Sequence, residues 1–384
     1  MVRPTQIVSG THAIAIALRT AFDGLQAKQS YNEKKQQERY ELVSIAGDVY
    51  DSVQPVIGSK HSHALLDDAI ESSEYGSLMN VFGRDRFYYR AIPLTQTGGI
   101  DWESVARAIH SIDEAAVDTG NAVVFVQRSR GYDAKRFGAL SIEDVSRVVQ
   151  IVKAAYPCGG CKVVVDNCYC EFVDDREPTA VGADLVAGSL IKNPGGTITP
   201  AGGYIAGKAA LVERAGNIMN APGIGRNVGA VPGDILRLVY QGLWMSPASI
   251  GEAVKGSLLI ASVMSSLEFE VSPSLNEERH DVITAVTLND ASMLLQFCKS
   301  LQEMSPVGSY ITPSAGRTPG YVNELVFADG TFIEGATSEL SADGPMREPF
   351  VAFCQGGSHW TQWANALANV VESMDKSKLS TLFS

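Results

Sequence analysis

No uncharged apolar run in this 384-residue chain reaches the roughly 18 residues that a membrane-crossing helix takes, so no such helix is expected. Its first residues, Met1-Val2-Arg3-Pro4, lack the short apolar core of a secretory signal. A cytoplasmic protein is therefore expected, with an organelle-targeting leader on a longer product left open. Positive charge is scarce: the net charge of −12 argues against nucleic acid and anionic membranes as partners. Internal repeats and low-complexity tracts are absent. Cysteine is sparse, with Cys158, Cys161, Cys168, Cys170, Cys298 and Cys354 making six. Cys158-Gly159-Gly160-Cys161 has the spacing of a zinc or redox pair, but a structural zinc needs two more ligands. Cys168 and Cys170 directly follow a candidate core strand, where the chain is extended and packed. No metal is expected, and the cysteines read as free thiols of a reducing compartment.

Apolar residues make up 45 % of the chain and charged residues 19 %. That leaves ample material for buried strands, and the length favours two domains. Residues 41–46, 123–127, 162–166, 183–187 and 203–206 read as strands, and 101–114 and 142–155 carry apolar positions at helical spacing. This alternation is that of an α/β domain with a mostly parallel sheet. Ser246-Pro247 pairs an N-cap with a proline at the first helical position, predicting a helix to about Leu267. Beyond it, strand-like runs at 281–288, 308–312, 324–327 and 350–354, with two helices, form an α+β pattern. The polar stretch from Gly24 to Glu41 reads as a solvated insertion or helix extension.

The chemistry is concentrated where two of these strands end. Val163-Val164-Val165-Asp166 closes a β-branched run on a carboxylate, and the run from Ala183 to Leu190 delivers Lys192 to the same sheet edge, 26 residues later. Such a pair is what pyridoxal phosphate chemistry requires. The lysine forms a Schiff base, and the aspartate pairs with the pyridinium nitrogen so that the ring accepts electrons. Ser9-Gly10-Thr11-His12 opens an apolar helical run with small residues. Its backbone N–H groups and helix dipole suit a phosphate, with hydroxyls from Ser9, Thr11 and Ser189; the same residues also fit a plain N-cap. Tyr50, after the strand-like 41–46, is positioned to stack on a cofactor ring or simply to pack.

Other motifs are less decisive. Gly223-Ile224-Gly225-Arg226-Asn227-Val228-Gly229 lacks the preceding strand of a dinucleotide site and reads as a turn near the active-site entrance or a subunit interface. Arg226 there either meets an anion or is solvated. Arg128 and Arg130 follow a strand end, the edge at which α/β sheets bind ligands, and one of them is expected to face the cofactor or substrate.

The segments S-G-T-H-A-I-A, G-D-V-Y-D, V-D-N-C-Y-C-E-F-V, G-A-D-L-V-A-G-S-L-I-K-N-P-G-G and E-L-S-A-D-G-P-M-R-E-P-F occur in that order. With them the chain resembles the methionine gamma-lyase-like, or aluminium-resistance, family of fold-type I pyridoxal phosphate enzymes. The resemblance spans almost the whole chain. It implies an aminotransferase-like large domain over residues 1–245, then a linking helix and a smaller α+β C-terminal domain over 246–384. It also implies a homodimer or homotetramer with active sites at the interface. Within it, Lys192 is the Schiff-base lysine, Asp166 the pyridinium partner, and Gly10, Thr11 and Ser189 the phosphate holders. Arg347, just before the last apolar strand, occupies the place of a substrate-carboxylate arginine. The family carries a substantial segment before the phosphate loop, whereas here the loop begins at Ser9, so a shortened or incomplete N-terminus is expected.

The expected activity is elimination of a β- or γ-thiol from a sulfur-containing amino acid such as methionine or cystathionine. Lys192 acts as the general base at Cα. A transaminase would use the same residues, and a truncated, catalytically silent paralogue is the non-enzymatic alternative.

Overall fold

Short apolar and aromatic runs build the first sheet of the computed structural model, which describes residues 9–22, 38–58, 76–220, 224–225, 233–318, 321–336 and 338–374. Six strands lie in the order β2-β1-β3-β4-β5-β6. They are β1 (Tyr40–Ser44), β2 (Phe87–Ala91), β3 (Ala122–Gln127), β4 (Cys161–Asp166), β5 (Leu185–Ser189) and β6 (Gly203–Gly207). All neighbours pair in parallel except β5 and β6. In β3 every residue is buried, as expected of a strand covered on both faces. Val123 and Phe125 point to one core with Leu42, Val164 and Leu185, covered by Ala13, Ala17, Leu18 and Phe22 of the first helix, Gly10–Phe22. Val124 and Val126 point to the other, with Val163, Val165 and the helices Trp102–His110 and Ile142–Ala155.

The second sheet is antiparallel, in the order β7-β8-β11-β10-β9. Its strands are β7 (Glu270–Ser272), β8 (Thr284–Thr287), β9 (Leu325–Asp329), β10 (Ser341–Pro345) and β11 (Val351–Gln355). Helices Ala291–Gln302 and Trp360–Ser373 cover it through Leu294, Phe297, Trp363 and Leu367. The fold class read from the sequence is thus present: a mainly parallel α/β sheet followed by an antiparallel α+β region.

Two local expectations need correction, and one strand was not foreseen. The helix predicted to begin at Ser246 runs from Gly233 to Ser266, with Pro247 inside it. Ser246 Oγ donates to Gly242 O at 2.8 Å, a bond back along the helix and not a cap. The strand-like 308–312 is a turn: Gly308 has φ +66° and Ile311 N donates to Gly308 O at 2.8 Å. Conversely, Ser341-Ala342-Asp343-Gly344-Pro345 is a fully buried central strand, although its composition gives no strand signal. Of the polar stretch Gly24 to Glu41, residues 24–37 lie outside the described residues, as does Arg226, while Tyr40 and Glu41 belong to β1.

Candidate active site

A cleft of about 280 Å³ opens at the C-terminal ends of β3, β4 and β5 and is closed from the other side by residues of the second sheet. This is the edge at which open α/β sheets take ligands. Ser9, Gly10, Thr11, Tyr50, Asp166, Ser189 and Lys192, all singled out from the sequence, line it together.

The first helix enters with its N-terminus. Ser9 caps it, accepting from His12 N at 3.3 Å with its hydroxyl and from Ala13 N at 3.0 Å with its carbonyl. Gly10 and Thr11 are the first residues of the helix, where backbone N–H groups are not used by the helix's own ladder. A Cβ at Gly10 would lie 2.7 Å from Ser189 Cβ, so only glycine lets the helix start press against the end of β5. Thr11 Oγ1 lies 3.1 Å from Ser52 Oγ. Ser9 thus caps the helix, and Gly10, Thr11 and Ser189 stand together at its start in the cleft.

Asp166 ends β4, paired in register with Gln127 and Ala187. Its Oδ1 accepts from Cys168 N at 3.0 Å. Burial pushes its pKa up, opposed by that N–H and by the charge of Lys192. Such a carboxylate is complete only with a cation against it.

Lys192 stands at the start of the 3₁₀ turn Asn193–Gly195. Its Nζ donates to Tyr169 Oη and lies 4.0 Å from the centre of that ring. Burial lowers the ammonium pKa, but the facing Tyr169 oxygen and Cys168 sulfur outweigh it and the net shift is upward. Tyr169 reaches this position because the turn after β4 passes through left-handed backbone, with φ 72° at Tyr169. Behind Lys192, Gly195 and Gly196 lie directly on the long helix: a Cβ at Gly196 would sit 2.3 Å from Gly242 O.

Tyr50 N donates to Gln127 Oε1 at 2.6 Å, and its hydroxyl lies 2.6 Å from that of Tyr321. The ring sits over Gly131, where φ is +59° and a Cβ would come within 2.5 Å of Tyr50 Cδ2. Tyr132, Tyr321 and Phe353 extend the aromatic wall, with neighbouring ring centres 5.3–5.9 Å apart.

The arginines are elsewhere. Arg347 is exposed and does not line the cleft; it donates to Asn323 Oδ1 and to Tyr132 O, both at 3.0 Å. Arg128 is committed to Leu140 O, Asn167 Oδ1 and the carboxylate of Asp174. Arg130 bonds Ser272, Asp133 and Ala134. The expectation that one of these two faces the cleft is therefore corrected, because loop oxygens and Asp174 take up their donors. Arg136, not foreseen, holds the carbonyls of Gln127, Arg128 and Ser129, and burial pushes its pKa down to about 10.

Also unforeseen in the cleft are Gln127, Tyr132, Tyr169, Tyr321, Asp343 and Gln355. Gln127 had a readable signal, since it ends β3 as Asp166 ends β4. Tyr169 lies three residues after Asp166, but its direction depends on a backbone turn that the sequence does not announce.

The chain matches the family described as Methionine gamma-lyase over residues 1–375. It is 37 % identical over 379 residues to the uncharacterized protein YnbB of Bacillus subtilis, covering 99 % of this chain and 80 % of that one. A carbon-sulfur lyase involved in aluminum resistance from Clostridium novyi superposes with a TM-score of 0.78 at 33 % identity, covering 96 % of this chain and 78 % of that one. Yeast cystathionine gamma-lyase, at 15 % identity and a TM-score of 0.56 over 96 % of this chain and 81 % of its own, shares the fold.

Proposed function

The chain belongs to the methionine gamma-lyase family, and on that premise we propose that it is a pyridoxal phosphate-dependent carbon–sulfur lyase. Its substrate in this reading is a sulfur-containing amino acid of the methionine or cystathionine kind. The observation that carries the reading is one cleft lined by an amine, a buried carboxylate and a helix N-terminus: Lys192, Asp166 and Gly10. The resemblance to the Clostridium novyi carbon-sulfur lyase supports the reaction class.

The residues present fit the cofactor. Gly10 and Thr11 N–H groups, with the Ser9 and Ser189 hydroxyls, would hold the phosphate; Asp166 would face the ring nitrogen and Tyr50 the ring. Bound there, pyridoxal phosphate supplies a carbonyl carbon that an amine can attack and a ring that takes up the electron pair left at Cα.

The chain's own groups do the rest. Lys192 Nζ takes the proton from the substrate Cα and holds it for return. Tyr169 fixes that amine by its hydrogen bond and by the face of its ring. Asp166 is a fixed negative charge aimed by the Cys168 N–H. The hydroxyls of Tyr50 and Tyr321 stay protonated at neutral pH because burial raises both pKa values, so they are available to the departing thiolate. Association into two or four copies belongs to the same reading. It is supported by an apolar face of the long helix at Tyr240, Leu243 and Trp244, the last 86 % exposed.

The test is a product balance. Cofactor-loaded protein given L-cystathionine or L-methionine is expected to release thiol, 2-oxo acid and ammonia in equal amounts. Oxo acid without ammonia, formed only when an oxo-acid acceptor is added, would establish a transaminase instead.

A further inference from the structure

One charge in the cleft is left over once cofactor chemistry is assigned. The described lining residues include Lys192, Asp166 and Asp343 but no arginine. Asp343 sits in the middle of β10, between Phe327 of β9 and Phe353 of β11, and is 6 % exposed. Both of its oxygens are aimed by neutral donors. Oδ2 accepts from the Tyr132 hydroxyl, and Oδ1 accepts from Gln355 Nε2 at 3.1 Å. Among the described residues no basic side chain forms an ion pair with it.

Neutral donors offset part of the desolvation cost of a buried carboxylate, and an opposite charge against it would offset more. Burial accordingly pushes its pKa up to about 6, against the opposing pull of the Tyr132 hydrogen bond and the Lys192 charge; it is still largely ionised at neutral pH. Each oxygen keeps a lone pair unused by Tyr132 and Gln355. The wall beside it is made of the rings of Tyr132, Phe353, Tyr50 and Tyr321, whose faces attract a cation.

We infer that Asp343 is a specificity-determining residue that selects substrates whose side chain ends in a positive charge, an ammonium carried on the departing thiol. This rests on the lyase reading above, in which the α-amine is taken up by the cofactor. The cation that Asp343 meets must then be a second one, beyond the sulfur. Among sulfur-containing amino acids this ranks thiol portions ending in an ammonium above those ending in a methyl group, as in methionine, and those ending in a carboxylate alone last.

A matched pair of sulfides isolates the effect. S-(2-aminoethyl)-L-cysteine and S-propyl-L-cysteine have the same length and differ in a terminal ammonium against a methyl. The holoenzyme is expected to favour the aminoethyl compound in kcat/KM by about tenfold or more, equivalent to roughly 1.4 kcal/mol. In Asp343→Asn that preference should collapse toward unity, with Asp343→Ser as the second variant should the first fail to fold. Equal use of the two sulfides by the holoenzyme, or a preference that survives both substitutions, overturns the inference.

Calorimetry of the holoenzyme with L-lysine and L-norleucine separates this failure from failure of the lyase reading, because neither compound has a C–S bond to break. Tighter binding of lysine by about tenfold, with neither sulfide cleaved, would retain Asp343 and remove the lyase. Cleavage of both sulfides with lysine and norleucine bound equally would retain the lyase and remove the role of Asp343.

Discussion

Glu171 lies two residues beyond Tyr169, with one carboxyl oxygen accepting from Tyr204 Oη at 2.8 Å and the other buried without a partner. Burial pushes its pKa up to about 8. Because the folded value exceeds the unfolded one, the native state holds this proton where the unfolded chain has released it. The contribution to stability is complete below about pH 4.5, falls as pH rises, and is lost above about pH 8. Glu171→Gln, neutral throughout, is therefore expected to melt progressively higher than the parent as pH rises from 5 to 8. Melting curves across that window check it; a constant gap would mean that Glu171 is ionised in the fold. At this scale the sequence was legible where chemistry coincides with a strand end, as at Asp166 and Lys192. It was silent on Asp343, Tyr321 and Gln355, which approach the cleft only through the packing of a second sheet. Arg347 is the converse case: its neighbours in sequence suggested a carboxylate site, but its donors are taken by Asn323 and the Tyr132 carbonyl.

Among the elements, the turn after Lys192 and the long helix are fitted backbone to backbone. A Cβ at Gly242 would lie 2.2 Å from Gly195 O and 2.6 Å from Thr199 Oγ1. On an exposed helix Gly→Ala stabilises by up to about 1 kcal/mol. Here the sign should reverse, with Gly242→Ala costing about 2 kcal/mol from overpacking and slowing cofactor uptake as the Lys192 turn is displaced. Denaturation midpoints and the rate of visible-absorbance gain on adding pyridoxal phosphate read the two effects. A variant as stable and as readily loaded as the parent would show that the turn does not depend on this contact. The same contact explains the Asn-Pro-Gly-Gly run, whose spacing was readable and whose partner was not. Strands β3 and β4 were visible because continuous burial favours β-branched runs, and β5 as a short apolar run. The helix start was misread because a proline that suits a first turn sits here inside a helix already begun at Gly233. Strand β10 was invisible because its residues are small, polar or proline, and its neighbours β9 and β11 determine its place.

For the molecule as a whole, the parallel sheet brings a helix N-terminus, Asp166 and Lys192 to one edge, and the antiparallel sheet faces that edge with Asp343, Phe353 and Gln355, joined by Tyr321 from the segment before β9. The central claim is that this edge binds pyridoxal phosphate through Lys192. It is tested by loading the protein with the cofactor, reducing with borohydride and mapping the modified peptide. The account predicts a pyridoxyl group on the peptide containing Lys192 and no reducible linkage in Lys192→Ala, which should still bind the cofactor reversibly. A label on another lysine, or none on a chain that has taken up the cofactor, would contradict it.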